Sequence, residues 1–190
     1  MAFLTTLRDV KKALSCSGGK VEKEEYRLKS PQPNSNHCFV CGLSNPFGLH
    51  LRFFDTEPGI VTSEVILPEQ YQGYPGMVHG GIIAAMLDEA AGRSHMVGAQ
   101  PRFMYTARLE VRYRKNVPLN QPLLLVGRVG ESKRRTATAT SAIYDAEQNL
   151  LAEADAVLVD IPQQVLDGID PTALGWRVYP PETELFEGDA

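Results

Sequence analysis

Four residues near the middle of the chain, His79, Gly80, Gly81 and Asp88, have types and spacing suited to acid–base chemistry. The His-Gly-Gly run follows a loop and opens a predicted helix, where glycine lets backbone N–H groups approach a ligand and the helix dipole favours negative charge. Asp88 follows Gly81 by seven residues, about two helical turns, so both lie on one helix face. The pattern predicts an oxyanion site at the helix start and a carboxylate base further along, with Glu89 pointing at least about a quarter turn away.

A long helix and an antiparallel sheet are predicted to position these groups. Apolar residues recur at helical spacing through HGGIIAAMLDEAAGRSHM, which predicts one helix. Segments with alternating apolar and polar residues predict two strands before it and four after it. The first two are LHLRFF and IVTSEVIL, and the later four are MYTARLEVRYRK, PLLLVGRVG, RTATATSAIYD and LLAEADAVLVD. We expect an α+β fold in which the helix lies against a sheet whose last four strands form a meander.

The composition changes along the chain predict three parts. Residues 1–36 read as a short amphipathic helix followed by a linker rich in Pro, Asn and Ser, and residues 37–161 hold the chemistry. Residues 162–190 read as a C-terminal extension that lies over the core or is disordered. Trp176 and Tyr179 in that extension are expected to form a docking cluster or to line a pocket.

Charge, length and cysteine count exclude several classes of protein. A formal net charge of −4 over 190 residues argues against a broad nucleic-acid or anionic-membrane surface. No apolar run approaches the roughly 20 residues that span a bilayer. An odd number of cysteines, three, suits a reducing compartment, so we expect a cytoplasmic protein.

The sequence His37-Cys38-Phe39-Val40-Cys41 raises the question of a metal. A zinc site would need a fourth ligand and a second pair of ligands that the spacing does not offer. A redox-active pair would need a thioredoxin-like strand and helix around it. We therefore expect packed thiols with a structural role, no metal and no cofactor, while a metal site stays as the alternative.

Three motifs in order resemble a known family. CFVCGLSNPFGLHLRF, VHGGIIAAMLDEAAG and RLEVRYRKNVPL are similar to segments of the hotdog-fold acyl-CoA thioesterases of the phenylacetate-pathway type, over residues 38–160. The resemblance implies a long central helix wrapped by an antiparallel sheet. It also implies that two subunits pair into one continuous sheet, as a homodimer or a dimer of dimers. Hydrolysis of an acyl-CoA thioester, without a cofactor, would then take place at the subunit interface.

The same resemblance assigns roles to particular residues. Asp88 would be the catalytic base or nucleophile, and the Gly81 amide would polarise the thioester carbonyl. His79 would shape the turn and contact the substrate, and Thr106 would help to orient water. Some members carry an Asn shortly before the His-Gly pair, whereas this chain has none in its segment 72–76. Further substrate contacts are expected from Gly80, Met77 and Val78, and contacts to the phosphates of CoA from Arg112, Arg114, Lys133, Arg134 and Arg135.

Two rival functions use the same elements. A non-catalytic hotdog protein would bind or sense acyl-CoA in the same pocket without turnover. A hotdog dehydratase or hydratase would act on the acyl chain, and it would need a catalytic His paired with an acid in another arrangement than His79 and Asp88 on one helix. The acyl chain itself is not readable from the sequence, because pocket depth depends on how the loop 71–77 and the strand near Phe103 converge.

Overall fold

Seven strands form one antiparallel sheet in the computed structural model, which describes residues 30–97 and 102–180. One long helix packs against that sheet, as the alternating and helical patterns predict. Among the described residues, no helix is long and apolar enough to cross a membrane. The elements are β1 (Ser30–Pro31), β2 (Phe54–Glu57), β3 (Ile60–Ile66), a 3₁₀ turn (Glu69–Tyr71), α1 (Gly80–Ser94), β4 (Met104–Tyr113), β5 (Pro122–Ser132), β6 (Thr136–Tyr144), β7 (Leu150–Asp160) and α2 (Gln163–Leu166).

The strand order is β1-β2-β3-β5-β6-β7-β4. Strands β5, β6 and β7 form a meander, but β4 pairs with β7 and lies at the edge of the sheet, with Met104 opposite Asp160 and Tyr113 opposite Ala152. The predicted four-strand meander is therefore wrong for β4. The physical reason is that α1 carries the chain across the sheet after β3, so β4 begins at the sheet edge beyond β5, β6 and β7.

One face of α1 is buried against the sheet and the other is not. The helix approaches β5 so closely that a Cβ atom on Gly127 would lie 2.0 Å from the carbonyl oxygen of Ala90. Only glycine fits at this contact, and it lets the helix backbone rest directly on the strand. The buried apolar helix residues are Ile83, Met86, Leu87, Ala90 and Ala91.

Residues 30–36 belong to the packed domain, which corrects the predicted linker boundary at residue 36. Gln32 N–H donates to Phe53 O at 2.9 Å. The Asn34 side-chain amide donates to Cys41 O at 2.7 Å and to Leu51 O at 2.9 Å. The polar residues that suggested a linker are instead buried donors that satisfy backbone carbonyls. The predicted N-terminal helix lies outside the described residues.

The described part of the C-terminal extension, residues 162–180, lies against the same region. Asn34 and Arg177 form an antiparallel bridge. The Trp176 ring packs edge-on against Phe103 with centroids 5.8 Å apart, and the Tyr179 hydroxyl donates to Asn36 Oδ1 at 3.0 Å. The two aromatic residues thus form the docking cluster that the sequence suggested as one of two roles.

We expect Gly127→Ala to lower the free energy of unfolding by at least about 2 kcal/mol, because the added methyl group overpacks a backbone contact that cannot yield. Gly168→Ala is the matched control, since its Cβ would meet its nearest neighbour, Val165 O, at 3.5 Å. That variant should stay within about 0.5 kcal/mol of the wild type. Urea unfolding followed by circular dichroism measures both, and equal stability of the two variants would contradict the close approach.

Candidate active site

Helix α1 begins with His79 as its N-cap residue, in an extended backbone conformation (φ −62°, ψ 138°). His79 Nδ1 accepts a hydrogen bond from the Gly81 N–H at 3.0 Å. His79 O accepts hydrogen bonds from the N–H groups of Ile82 and Ile83 at 3.0 and 3.1 Å. Within the described chain, the Gly80 N–H donates to no acceptor. The first-turn amide that is available to a ligand is therefore that of Gly80, one residue before the predicted donor.

The loop before His79 is fixed by its own hydrogen bonds. Gly73 N–H donates to Met77 O, and Gly76 N–H donates to the Gln72 side-chain oxygen, both at 2.9 Å. Of the two loop residues predicted to contact substrate, Met77 is half-buried, whereas Val78 is buried in the hydrophobic core. Val78 therefore anchors the loop in the core, and Met77 keeps part of its side chain exposed to solvent.

Asp88 lies on the helix face that turns away from the sheet. Its neighbours one turn away on this face are small, Ala84, Ala85 and Gly92, and all are half-buried. Asp88 Oδ1 is buried yet has no hydrogen-bond partner among the described residues. Since a buried unpaired carboxylate oxygen costs free energy, a purely structural role does not account for this residue. The arrangement suits a carboxylate that meets a substrate, a water molecule or a second subunit.

Tyr113, which the sequence analysis did not single out, ties the end of β4 to the start of α1. Its hydroxyl donates to Gly80 O at 3.0 Å, and a Cβ atom on Gly80 would lie 3.6 Å from that hydroxyl. The tyrosine is 55% exposed, so it borders the helix start from the solvent side. The only sequence signal was its place in the alternating pattern of the strand.

Thr106 lies on β4 on the same side of the sheet as the helix. A bulge between Thr106 and Arg108 shifts the register, so that Thr106 pairs with the buried Leu158. The Thr106 side chain is exposed and forms no hydrogen bond with Asp88 within the described residues. Within one subunit, Thr106 therefore lies on the helix side of the sheet but forms no hydrogen bond with the Asp88 carboxylate.

Three of the five basic residues expected to bind phosphate have carboxylate partners, and two of these ion pairs are short. Arg112 pairs with Asp155 at 2.6 Å, and Arg114 pairs with Glu153 at 2.6 Å. Asp155 and Glu153 alternate with the inward-facing alanines of β7, so the Arg112 pair lies on the sheet face opposite the helix. A shallow cleft of about 240 Å³ that includes Arg112 lies on that outer face, away from Asp88.

The other three basic residues form the turn between β5 and β6. Lys133 is 72% exposed and lies 3.9 Å from Glu131. Arg134 and Arg135 are exposed and form no ion pair within the described ranges. Arg102 donates to Lys133 O at 3.1 Å and pairs with Asp160, whose carboxyl pKa it holds below the usual range. Within the described residues, this turn therefore keeps two guanidinium groups that form no ion pair.

The two cysteines of the C-x-x-C motif lie beside Glu89, which the sequence analysis had set aside. Both are free thiols, with Cys41 buried and Cys38 half-buried. A hydrogen bond from Cys41 lowers the pKa of the Cys38 thiol to about 6, against the opposing effects of burial and of the Glu89 charge. The same contact, with burial, raises the pKa of Cys41. Glu89 also pairs with Arg93 at 2.9 Å.

The fold of this chain is shared with known proteins. The family model of the thioesterase superfamily matches residues 75–152, which include His79, Gly80 and Asp88. A crystal structure of a thioesterase superfamily protein superimposes with a TM-score of 0.62 at 27% sequence identity, over 81% of this chain and 75% of the other. The central part of the chain is therefore similar to the thioesterase superfamily.

Two further proteins extend the comparison. It is 29% identical over 91 residues to the rat acyl-coenzyme A thioesterase THEM4, a match that covers 47% of this chain and 38% of that protein. The chain therefore spans well under half of that relative's length. A Streptococcus mutans protein crystallised with acetyl CoA has the same fold, with a TM-score of 0.54 at 21% identity over 58% of this chain and 88% of that one. The α+β hotdog fold predicted from the sequence is confirmed.

The His79 cap makes a testable contribution to stability. We expect His79→Ala to lower the free energy of unfolding by about 1 kcal/mol, because the Gly81 N–H loses its acceptor. His79→Asn should keep most of that free energy, since an asparagine side chain caps helices equally well. Urea titration of both variants measures the difference, and an Ala variant as stable as the Asn variant would contradict the cap.

Proposed function

We propose that this chain hydrolyses acyl-CoA thioesters to free CoA and a carboxylic acid. The observation that carries the proposal is Asp88, whose buried oxygen has no partner among the described residues, on a helix that opens with a free backbone donor. The acyl-coenzyme A thioesterase named among the relatives and the relative crystallised with acetyl CoA support the substrate class.

Asp88 is the group that starts the reaction. As a general base, its carboxylate takes a proton from water while the hydroxide oxygen adds to the thioester carbonyl carbon. Collapse of the tetrahedral intermediate breaks the C–S bond, and the departing CoA thiolate receives the proton that Asp88 took from water. As a nucleophile, the carboxylate would instead add to the carbonyl carbon and expel CoA thiolate as the C–S bond breaks, and water would then hydrolyse the resulting anhydride to the carboxylic acid and free Asp88. Glu89 is not available for this role, because Arg93 holds it beside the cysteines.

The Gly80 amide is the donor that we assign to the carbonyl oxygen. The hydrogen bonds at the helix start leave this N–H without an acceptor in the described residues, whereas the Gly81 N–H donates to His79 Nδ1. A backbone N–H at a helix N-terminus is fixed before the reaction, and the helix dipole favours the negative charge that develops on the oxygen. His79 then acts by holding the first turn in place, and Tyr113 fixes the same turn through Gly80 O.

One subunit does not bring these two groups to the same carbonyl. Gly80 and Asp88 are eight residues apart on one helix, about 12 Å along its axis, whereas both must lie within about 3 Å of the reacting atoms. A second copy whose helix runs antiparallel would place its Gly80 near Asp88 of the first. We therefore propose that each site combines Asp88 of one subunit with Gly80 of the partner subunit.

The edge strand β4 is the surface on which we place the second copy. It is ten residues long, has no strand on its outer side among the described residues, and leaves Tyr105 and Tyr113 about half exposed. Long edge strands with exposed apolar side chains are normally covered. Pairing of β4 with its copy would continue the sheet through both subunits. For the CoA phosphates, the turn that carries Arg134 and Arg135 is the stronger candidate, because these two guanidinium groups form no ion pair within the described residues.

We expect Asp88→Asn to lower kcat for CoA release by at least about 100-fold, because the variant keeps the shape of the side chain and loses the base. Its unfolding midpoint should be unchanged or higher, since the substitution removes a negative charge from a half-buried side chain. Thiol release from short, medium, long and aromatic acyl-CoAs measures turnover, with binding measured in parallel. Glu147→Gln, in an exposed turn, is the charge control and should retain wild-type turnover. Tight binding without turnover by the wild type would instead favour the non-catalytic acyl-CoA binding protein.

Gly80→Pro tests the assigned amide directly. Proline is favoured at the first position of a helix, and the extended backbone of His79 is the conformation that a residue before proline adopts. The substitution removes only the N–H, so we expect about a 100- to 1000-fold loss of kcat. Gly80→Ala keeps the N–H and should lose far less. Similar losses in both variants would contradict the role of this amide.

Mixed subunits test whether the site is shared. When inactive Gly80→Pro and Asp88→Asn chains are refolded together, each mixed dimer regains one intact site if the two groups come from different subunits. Random pairing makes half of the dimers mixed, so about one quarter of wild-type activity should return. A mixture as inactive as either parent would show that both groups act within one subunit.

A further inference from the structure

Cys38 and Cys41 lie in a turn whose backbone is shaped around the Cys38 sulfur. The Cys41 N–H donates to Cys38 Sγ at 3.5 Å. The Gly42 N–H donates to Cys38 O at 2.8 Å. A Cβ atom on Gly42 would lie 2.4 to 2.8 Å from backbone atoms of Cys38 and Asn36, so this tight turn needs glycine. N–H donors around a sulfur stabilise its thiolate form.

Helix α1 adds a third ligand to the two cysteines. Glu89 Oε2 lies 3.9 Å from Cys38 Sγ, although the two residues are 51 positions apart. The two sulfurs and one carboxylate oxygen all lie within 4.8 Å of one another. Ligands of one tetrahedral zinc ion lie roughly 3.6 to 3.8 Å apart, given Zn–S and Zn–O lengths of about 2.3 and 2.1 Å. The three atoms therefore need to move by only about 1 Å to share an ion.

Arg93 supplies the surroundings that a metal ligand needs. Its side chain is 2% exposed, and its Nε holds Glu89 Oε1 at 2.9 Å, which leaves Oε2 facing the cysteines. Arg93 Nη1 donates to Pro33 O at 2.6 Å, and the rings of Phe53 and Trp176 lie 4.9 and 5.0 Å from the guanidinium carbon. Second partners of this kind fix a ligating carboxylate in one orientation.

The charges of the cluster also fit a divalent cation. With neutral thiols, Glu89 and Arg93 balance each other. When the two thiols bind a divalent cation and release their protons to solvent, two negative charges and two positive charges are added, so the balance is kept. Arg93 Nη2 is buried without a hydrogen-bond partner in the described residues, and a thiolate would give it an acceptor. A disulfide would make no use of the carboxylate.

We propose that Cys38, Cys41 and Glu89 form a zinc site, with water as the fourth ligand. Two thiolates and a carboxylate with an open fourth position form a ligand set that zinc accepts. His50 and His95 are engaged elsewhere, with Asn45 O and Thr138 O, and Cys16 lies outside the described residues. The site joins the N-terminal segment to α1 at the residue after Asp88, so its role is to hold the helix that carries the proposed base.

Metal binding tests this proposal without reference to catalysis. The full chain is reduced, stripped with a chelator and titrated with Zn²⁺ against a chromogenic competitor, and separately with Co²⁺. We expect one equivalent of zinc, a rise in the unfolding temperature on binding, and a thiolate-to-cobalt charge-transfer band with the strong visible absorption of tetrahedral Co²⁺. Less than 0.2 equivalent of zinc, roughly the level of adventitious binding, or an octahedral cobalt spectrum would overturn the site.

Variants identify the ligands. Cys38→Ser and Cys41→Ser should abolish stoichiometric binding, and Glu89→Gln should weaken it by at least about tenfold. Cys16→Ser is the matched thiol control and should bind like the wild type. Wild-type affinity in Glu89→Gln, or loss of binding in Cys16→Ser, would overturn the assigned ligand set. The unfolding temperature of each variant is also measured in the presence of chelator, which identifies any variant that does not fold. A cysteine variant that does not fold is replaced by Cys→Ala at the same position. A Cys38–Cys41 disulfide that persists after the purified chain has been treated with a reductant would equally overturn the proposal.

Discussion

The backbone of α1 rests on the sheet at Gly127, where a side chain on the strand would collide with the Ala90 carbonyl oxygen. This contact fixes how far the helix lies from β5 and, because a helix has only one orientation that buries Ile83, Met86 and Ala90, it also fixes its rotation. The opposite face, with Asp88, must then turn away from the sheet. The packing that forms the core therefore also places Asp88 outside it.

A second constraint acts at the other end of α1, through the buried guanidinium of Arg93. It contacts Glu89 on its own helix, Gln32 and Pro33 from the first described segment, and Trp176 from the last. A buried charge must be paired and hydrogen-bonded to be tolerated. Segments that the sequence reads as a linker and an extension are thus required to complete the surroundings of one residue. The helix is held at its start by His79 and Tyr113 and near its end by Arg93.

Much of this arrangement could be predicted from the sequence, where local patterns decide the structure. The apolar spacing of α1, the alternation in β4 to β7 and the spacing of His79 and Asp88 are local signals. The pairing of β4 with β7 could not be predicted, because two strands with similar alternation pair through contacts distant in sequence. Neither could the choice between the Gly80 and Gly81 amides, which depends on the rotamer of His79. Glu89 was set aside because helical spacing shows that it points away from Asp88 without showing what it meets.

The pairing of β4 with β7 also governs the time at which the domain can form. Met104 pairs with Asp160, and Asn34 forms a bridge with Arg177, so the contacts that close the sheet and cover Arg93 join residues far apart in the chain. Folding rates fall as the mean sequence separation of contacts rises. On the ribosome, α1 would be synthesised well before β7, and its apolar face would stay partly uncovered until β7 has been made. The nascent chain therefore passes through a stage in which this hydrophobic stripe is exposed to chaperones.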